Sequence, residues 1–226
     1  MNRDSHTPSR VSKRTRVLLV DDHPLVRERL AEVIGRESDL RVCGEAEDRH
    51  EALEAIEATH PDLVVVDLTL KNSDGMELLK DIHARWPKVL MLVVSMHDES
   101  LYAERVLRAG ARGYITKQEA TRNILRAMRC VLEGNIYLNQ TIATQILSRL
   151  AGPTGPRTAT PADLLADREL QVFELTGRGL NTRQIAQRLH LGAKTVETYR
   201  GRIREKLKVK NPAELLQLAI TWTHRA

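Results

Sequence analysis

The stretch RVLLVDDHPLVRERL, residues 16–30, runs four apolar residues into two adjacent carboxylates, a histidine and a proline, and then into helical spacing. A short, near-continuous apolar run suits a strand covered on both faces, so residues 17–20 read as a central strand of a parallel sheet. Pro24 suits the first turn of a following helix, where a missing N–H costs nothing. Asp21 and Asp22 then stand together at the carboxyl end of that strand, and their mutual repulsion needs a reason.

Outward from this stretch the strand pattern recurs at LRVCGEA (40–46), LVVV (63–66), VLMLVV (89–94) and GYI (113–115). Between these runs, Val26, Leu30, Val33 and Ile34 follow i, i+4, i+7, i+8 spacing, as do Ile124, Met128, Val131 and Leu132. Gly110 and Gly134 stand where helices end in a left-handed cap. Five β-α units in series predict an α/β domain with a five-stranded, doubly wound parallel sheet. A further helix is expected over 142–150, followed by a linker, AGPTGPRTATPAD (151–163), with three prolines and two glycines. Residues 164–226 carry no strand signal and read as about four short helices, a small all-α domain.

With 226 residues the chain has room for two domains, and charge divides it in the same place. Residues 17–163 hold 18 Lys/Arg against 23 Asp/Glu, whereas residues 164–226 hold 12 against 6. An acidic body joined to a basic end predicts a polyanionic partner for that end. Aromatic content of 3% argues against recognition of single strands by base stacking. No apolar run approaches the roughly 18 residues that span a bilayer, which excludes a helical membrane protein. The basic tail, residues 1–15, lacks the apolar centre of a secretory signal and reads as a flexible extension. Cys43 and Cys130 show no zinc-site spacing and read as reduced thiols of a cytoplasmic protein.

In an open parallel sheet, ligands bind beyond the carboxyl ends of the strands. The residues that follow the apolar runs there are Asp21 and Asp22, Asp67, Ser95, and Thr116 with Lys117. Each has a plain alternative: Asp22 as a helix cap, Asp67 as a loop carboxylate, Ser95 and Lys117 as surface residues. Together, three carboxylates call for a hard divalent cation such as Mg²⁺. Asp67 could then attack a phosphoryl group to form an acyl phosphate, with Lys117 and Ser95 on the transferring oxygens. No GxxxxGK[ST] loop or kinase motif set is present, so the phosphoryl group has to come from outside the chain.

The order DD, then Asp67 followed by LTLKNSDGMELL, then Ser95 and GYITK, resembles the receiver domain of two-component response regulators, over residues 16–135. The resemblance implies a flavodoxin-like fold with Asp67 as phosphoacceptor. It implies Mg²⁺ held by Asp22 and Asp67, Asp21 helping through water, and Thr69 giving its backbone carbonyl. Ser95 and Lys117 would contact phosphate, and Tyr114 stands where receivers carry a switch aromatic. It further implies a sensor histidine kinase, or a small donor such as acetyl phosphate, as the phosphoryl source. Lys71 replaces a proline common in receivers, and Ser95 a frequent threonine.

In the basic end, a short helix over 182–189, a turn at HLGA and a longer helix over 194–207 have the spacing of a helix-turn-helix. Val196, Ile203 and Leu207 form an inward stripe on the second helix, leaving a basic surface suited to a major groove. REL, GLNTRQIAQRL and KTVETYRGRIREKL closely resemble the LuxR-type (NarL-like) helix-turn-helix over residues 164–222. That resemblance implies double-stranded DNA as partner and a DNA-contacting set of Lys194, Thr195, Glu197, Thr198, Arg200, Gly201, Arg202 and Lys206. Within it Glu197, Thr198 and Gly201 face bases and the basic residues face phosphates. The last helix, near AELLQLAI, would dimerise the chain. Tyr199 and Gly201 depart from common family residues, so no target sequence is inherited.

The reading is a phosphorylation-switched transcription factor rather than an enzyme, with residues 136–163 as linker helix and linker. Two alternatives stand beside it: a phosphorylation-independent DNA-binding regulator with a vestigial receiver, and an aspartyl-phosphate hydrolase. The chain lacks the DxDxT stretch that would suit the hydrolase.

Overall fold

A computed structural model describes residues 14–151 and 160–223. Most of the basic tail and the centre of the Pro/Gly-rich linker therefore lie outside the described residues. Strands β1 (Thr15–Val20), β2 (Leu40–Ala46) and β3 (Leu63–Val66) come first, with α1 (Pro24–Gly35) and α2 (Arg49–Thr59) between them. A two-residue hairpin, β4 (Thr69–Leu70) and β5 (Ser73–Asp74), precedes α3 (Gly75–Arg85). Then follow β6 (Leu90–Ser95), α4 (Glu99–Arg108), β7 (Gly113–Thr116), α5 (Lys117–Leu132) and α6 (Gln140–Ala151). The remaining helices are α7 (Pro161–Leu164), α8 (Asp167–Gly177), α9 (Thr182–Arg188), α10 (Ala193–Leu207) and α11 (Pro212–Thr223).

The sheet is parallel, in the order β2-β1-β3-β6-β7. Successive side chains point to opposite faces. Val17 and Leu19 accordingly join the core under α1 and α5, with Ile34, Ile124 and Met128. Leu18 and Val20 join the opposite core, with Ile56, Leu79, Ile82 and Val106. This second core continues into the C-terminal helices through Leu170, Phe173, Ile185, Val196 and Ile203.

The chain winds from β1 to β2 on one side and returns to β3 on the other, so the switch point lies between β1 and β3. A crevice is left there beyond the strand ends. The ladder carries on past the strands, with Asp67 N donating to Val20 O at 2.9 Å. It thus sets Asp21 and Asp67 side by side.

Strand and helix positions follow the sequence reading closely, with three differences, the first being the β4–β5 hairpin after β3, which the sequence pattern does not show. Ser95 and Thr116 are the last residues of β6 and β7, paired across the sheet, rather than residues just past them. The end of the Pro/Gly-rich stretch is also not loop: α7 is closed by Asp163, whose carboxylate accepts from Thr160 N at 2.8 Å. Cys43 and Cys130 are both free thiols. Among the described residues no helix is long and apolar enough to cross a membrane.

Candidate functional site

β1 delivers Asp21 and Asp22, β3 delivers Asp67, and the first residue of α5 delivers Lys117 into the same crevice. Asp21 and Asp67 are buried, and Lys117 Nζ lies 2.7 Å from Oδ2 of each. Burial and then the neighbouring Asp67 charge push the Asp21 carboxyl up, more than Lys117 pulls it down. Burial works against the Lys117 charge, but Asp67 and Asp21 outweigh it and hold the ammonium above its ordinary value. Lys117 therefore stays cationic at neutral pH.

Asp22 does not cap α1. The N-cap is His23, whose side chain caps no helix N–H, and Asp21 Oδ1 accepts from His23 N at 2.9 Å. Asp22 Oδ1 is buried without a hydrogen-bond partner, since His23 Nδ1, 2.6 Å away, is outside bonding geometry. A buried orphan oxygen is costly unless something else takes its lone pair. Asp21, Asp22, His23 and Asp67 each offer one ligand atom, all within 4.8 Å of one another. A carboxylate-rich donor set with one uncommitted oxygen fits a hard divalent cation.

The loop after Asp67 is held by close packing. Gly75 leaves no room for a side chain: a Cβ there would meet Asp67 O at 2.2 Å. Asp67 Oδ1 accepts from Thr69 N at 3.3 Å, and Lys71 turns outward to pair with Glu47.

Three groups from this neighbourhood converge on His97, in the loop after β6. Thr69 Oγ1 lies 3.1 Å from His97 Nε2, His97 N donates to Ser95 Oγ at 3.4 Å, and the buried Tyr114 donates its hydroxyl to His97 O at 2.9 Å. His97 Nδ1 in turn lies 2.8 Å from Oε2 of Glu174, on α8. The Tyr102 hydroxyl donates to the same oxygen at 3.1 Å, and Arg178 binds the other at 2.6 Å. Glu174 is only 1% exposed. Burial raises its pKa, but His97, Arg178 and Tyr102 outweigh burial and hold the carboxyl below the ordinary glutamate range.

Other polar contacts tie the C-terminal helices to α3, α4, the hairpin and the loop after β1. Asp167 sits between Arg105 at 2.5 Å and Lys80 at 2.9 Å, and Arg168 pairs with Asp74 at 3.0 Å. His190, in the turn between α9 and α10, lies with Nε2 2.7 Å from Asp22 Oδ2.

Beside the crevice, a cavity of about 440 Å³ runs from Ser95 and Lys117 past Glu99 to Asn139 and Arg178. Burial pushes Glu99 up to about 7 from 4.5; the backbone N–H of Asn139 draws it back, and the charges of Glu119 and Asp98 add to the rise. The folded chain thus holds a proton that the unfolded chain has released between about 4.5 and 7. Stability contributed by that proton is present at low pH and is lost as pH rises through this window. Glu99→Gln, which keeps an acceptor for Asn139 N, is expected to flatten the pH profile of the melting temperature over that range. It is also expected to melt above the parent at pH 8; parallel profiles for the two chains would refute the assignment.

The sequence-derived DNA set falls into two groups. Lys194, Thr195, Glu197, Thr198 and Arg202 are exposed on α10, and Gly201 is half-buried beside them. Arg200 is turned inward, bonding Thr182 Oγ1 at 2.9 Å and Leu180 O at 3.4 Å, and Lys206 pairs with Glu169 at 2.6 Å. Arg200 lies four residues after Val196 and three before Ile203, on the inward stripe, and that spacing could have revealed its orientation. The sequence reading also missed Glu174, His97, Tyr102 and His190. Glu174 carried one signal, a carboxylate four residues after Leu170 on an apolar stripe.

Comparisons with known proteins agree with this geometry. Residues 17–129 match the response regulator receiver domain, and residues 163–219 match the luxR family of bacterial regulatory proteins. The transcriptional activator protein ExaE of Pseudomonas putida is 37% identical over 204 residues, covering 90% of this chain and 95% of its own. A LuxR-family two-component response regulator from Aurantimonas sp. SI85-9A1 is 34% identical with a TM-score of 0.57, covering 62% of this chain and 100% of its own. RcsB from Salmonella enterica serovar Typhimurium, solved on promoter P1flhDC with a phosphomimetic, shares the fold at 23% identity. Its TM-score is 0.61, with 92% of this chain and 98% of its own covered.

Proposed function

Because the chain belongs to the response regulators that join a receiver domain to a LuxR-family DNA-binding domain, we propose that a sensor histidine kinase switches its DNA binding by Mg²⁺-dependent phosphorylation of Asp67. The observation that carries this reading is the pairing of Asp67 with Lys117 at 2.7 Å, next to the unpartnered oxygen of Asp22. A nucleophile, a cation for the incoming charge and a free metal ligand stand together.

In the proposed reaction an Asp67 oxygen attacks the phosphorus of a phosphohistidine. The new O–P bond forms as the P–N bond breaks, and the imidazole leaves with the bonding pair and takes up a proton. Mg²⁺, bound by Asp22 and Asp67 with help from Asp21 and the Thr69 carbonyl, would supply positive charge against the phosphoryl oxygens. Lys117 shifts its pairing from the carboxylate to the phosphoryl group, and Ser95 donates its hydroxyl. Tyr114 and His97 sense the change because both are bonded around Ser95 and Thr69. The regulator is not a classical enzyme; it takes one phosphoryl group per cycle.

The output follows from a shift between docked and released helices. In helix-turn-helix proteins the N-terminal residues of the recognition helix contact base edges. Contact at His190, just ahead of α10, sets the receiver against that end of the helix. Release frees the domain to pair, with Leu216 and Ile220 exposed on α11 as the dimer surface. A two-fold dimer calls for paired half-sites. The reading implies a cytoplasmic protein and takes residues 16–135 and 164–226 as its two domains.

Exposure of Lys194, Glu197, Thr198 and Arg202 in the docked state favours one competing reading, DNA binding without phosphorylation. Selection of bound duplexes from a random pool, with and without acetyl phosphate and Mg²⁺, decides between them. Paired half-sites held about ten-fold more tightly with the donor are expected, within the usual range of such couplings. Equal retention in both arms would establish the competing reading, and continuous release of phosphate from the donor would point to a hydrolase.

A further inference from the structure

The two oxygens of Asp22 face different elements. Oδ1 is buried without a hydrogen-bond partner beside His23, whereas Oδ2 lies 2.7 Å from Nε2 of His190. His190 is 168 residues away in sequence and sits in left-handed backbone at φ 52°. We infer that His190 competes with the divalent metal for Asp22, so that metal binding alone loosens the DNA-binding domain before any phosphoryl group arrives. The inference rests on the reading of Asp22 as a metal ligand.

An imidazole N–H that donates to Oδ2 draws charge out of the carboxylate and sets its positive dipole end against the same group, so Asp22 offers less negative charge to a cation at Oδ1. Docked and released states then differ in their free energy of metal binding, which is the condition for linkage. The coupling is reciprocal: docking weakens the metal by the same factor as the metal weakens docking.

The rest of the interface is suited to yielding. Its polar contacts include Asp167 with Arg105 and Lys80, Arg105 with the carbonyls of Ala162 and Leu165, Arg168 with Asp74 and Ser73 O, and the buried Glu174. Buried ion pairs recover little more than their desolvation cost, so these contacts orient the domain more than they strengthen its docking, beside the apolar core that runs on into the C-terminal helices. Losing the contact at Asp22 shifts the balance between docked and released states by that contact's own share.

The test follows free Mn²⁺ by electron paramagnetic resonance during titration of the full chain, the ion standing in for Mg²⁺. The parent is compared with His190→Gly, His190→Asn and Asp167→Asn. Gly and Asn both tolerate the left-handed backbone, and melting curves confirm that the variants fold. Asp167 contacts Arg105 and Lys80 rather than the acidic cluster, so its variant loosens docking without touching the metal site.

All three variants are expected to bind Mn²⁺ about five-fold or more tightly than the parent. Tightening by the His190 variants alone would reduce the contact to a local effect and overturn the linkage. Equal affinities throughout would overturn the competition while leaving the phosphorylation reading intact. No Mn²⁺ binding by any chain would overturn both.

Discussion

Asp67→Asn is expected to abolish phosphoryl labelling of the full chain by acetyl phosphate and Mg²⁺, with a loss of at least about 100-fold; removing a nucleophile from covalent catalysts costs more than this. The amide keeps the shape of the side chain and its contact with Thr69 N, but it lacks the anionic oxygen that attacks phosphorus. Neither remaining aspartate replaces it. Asp21 is buried with its carboxyl pushed up and paired to Lys117, and Asp22 is engaged by His190. The variant should fold at least as well as the parent, because one charge leaves a cluster in which Asp67 raises the Asp21 pKa. Labelling by mass spectrometry beside a melting curve checks both. Retained labelling would move the phosphoacceptor to another residue.

Gly75→Ala should have the largest effect on stability. Its Cβ would meet Asp67 O at 2.2 Å and Leu68 Cα at 2.6 Å, both backbone atoms. Carbon atoms settle at roughly 3.5–4.0 Å, so the Asp67–Leu68 segment has to move. Overpacking against backbone costs about 3 kcal/mol. For a chain of this size that is a fall of roughly 6–12 °C in melting temperature. Labelling of Asp67 should slow as well, because the displaced backbone carries the nucleophile. Gly35→Ala is the control, since a Cβ at the end of α1 meets nothing within 4 Å. It should leave the melting temperature unchanged or raise it slightly. Equal melting of the two variants would mean that Gly75 is not packed as described.

Much of this architecture was legible in the sequence because its signals are local. Four-residue apolar runs at 17–20 and 63–66 became β1 and β3, and the acidic residues after them met at the switch point. Helix spacing and the HLGA turn located α9 and α10 to within a residue. What stayed hidden depends on pairs with no shared pattern. His97 and Glu174 are 77 residues apart, and no periodicity joins a loop histidine to a helix in another domain. The β4–β5 hairpin was hidden for a different reason: two residues per strand are too few to show alternation. Arg200 was misplaced because charge was weighed above spacing. Its long side chain buries its stem while its two terminal nitrogens bond Thr182 Oγ1 and Leu180 O.

The bonds of His97 bear on modularity. Nδ1 faces a carboxylate that can only accept, so that nitrogen donates across to Glu174 on α8. The way His97 presents its ring to Thr69 is thereby held by a residue of the other domain. A chimera that kept this receiver but took a LuxR-type domain with no acceptor at position 174 would bury a histidine with one nitrogen unanswered. The two halves of this chain are matched parts, and exchanging one without the other would alter the resting state before any signal arrived.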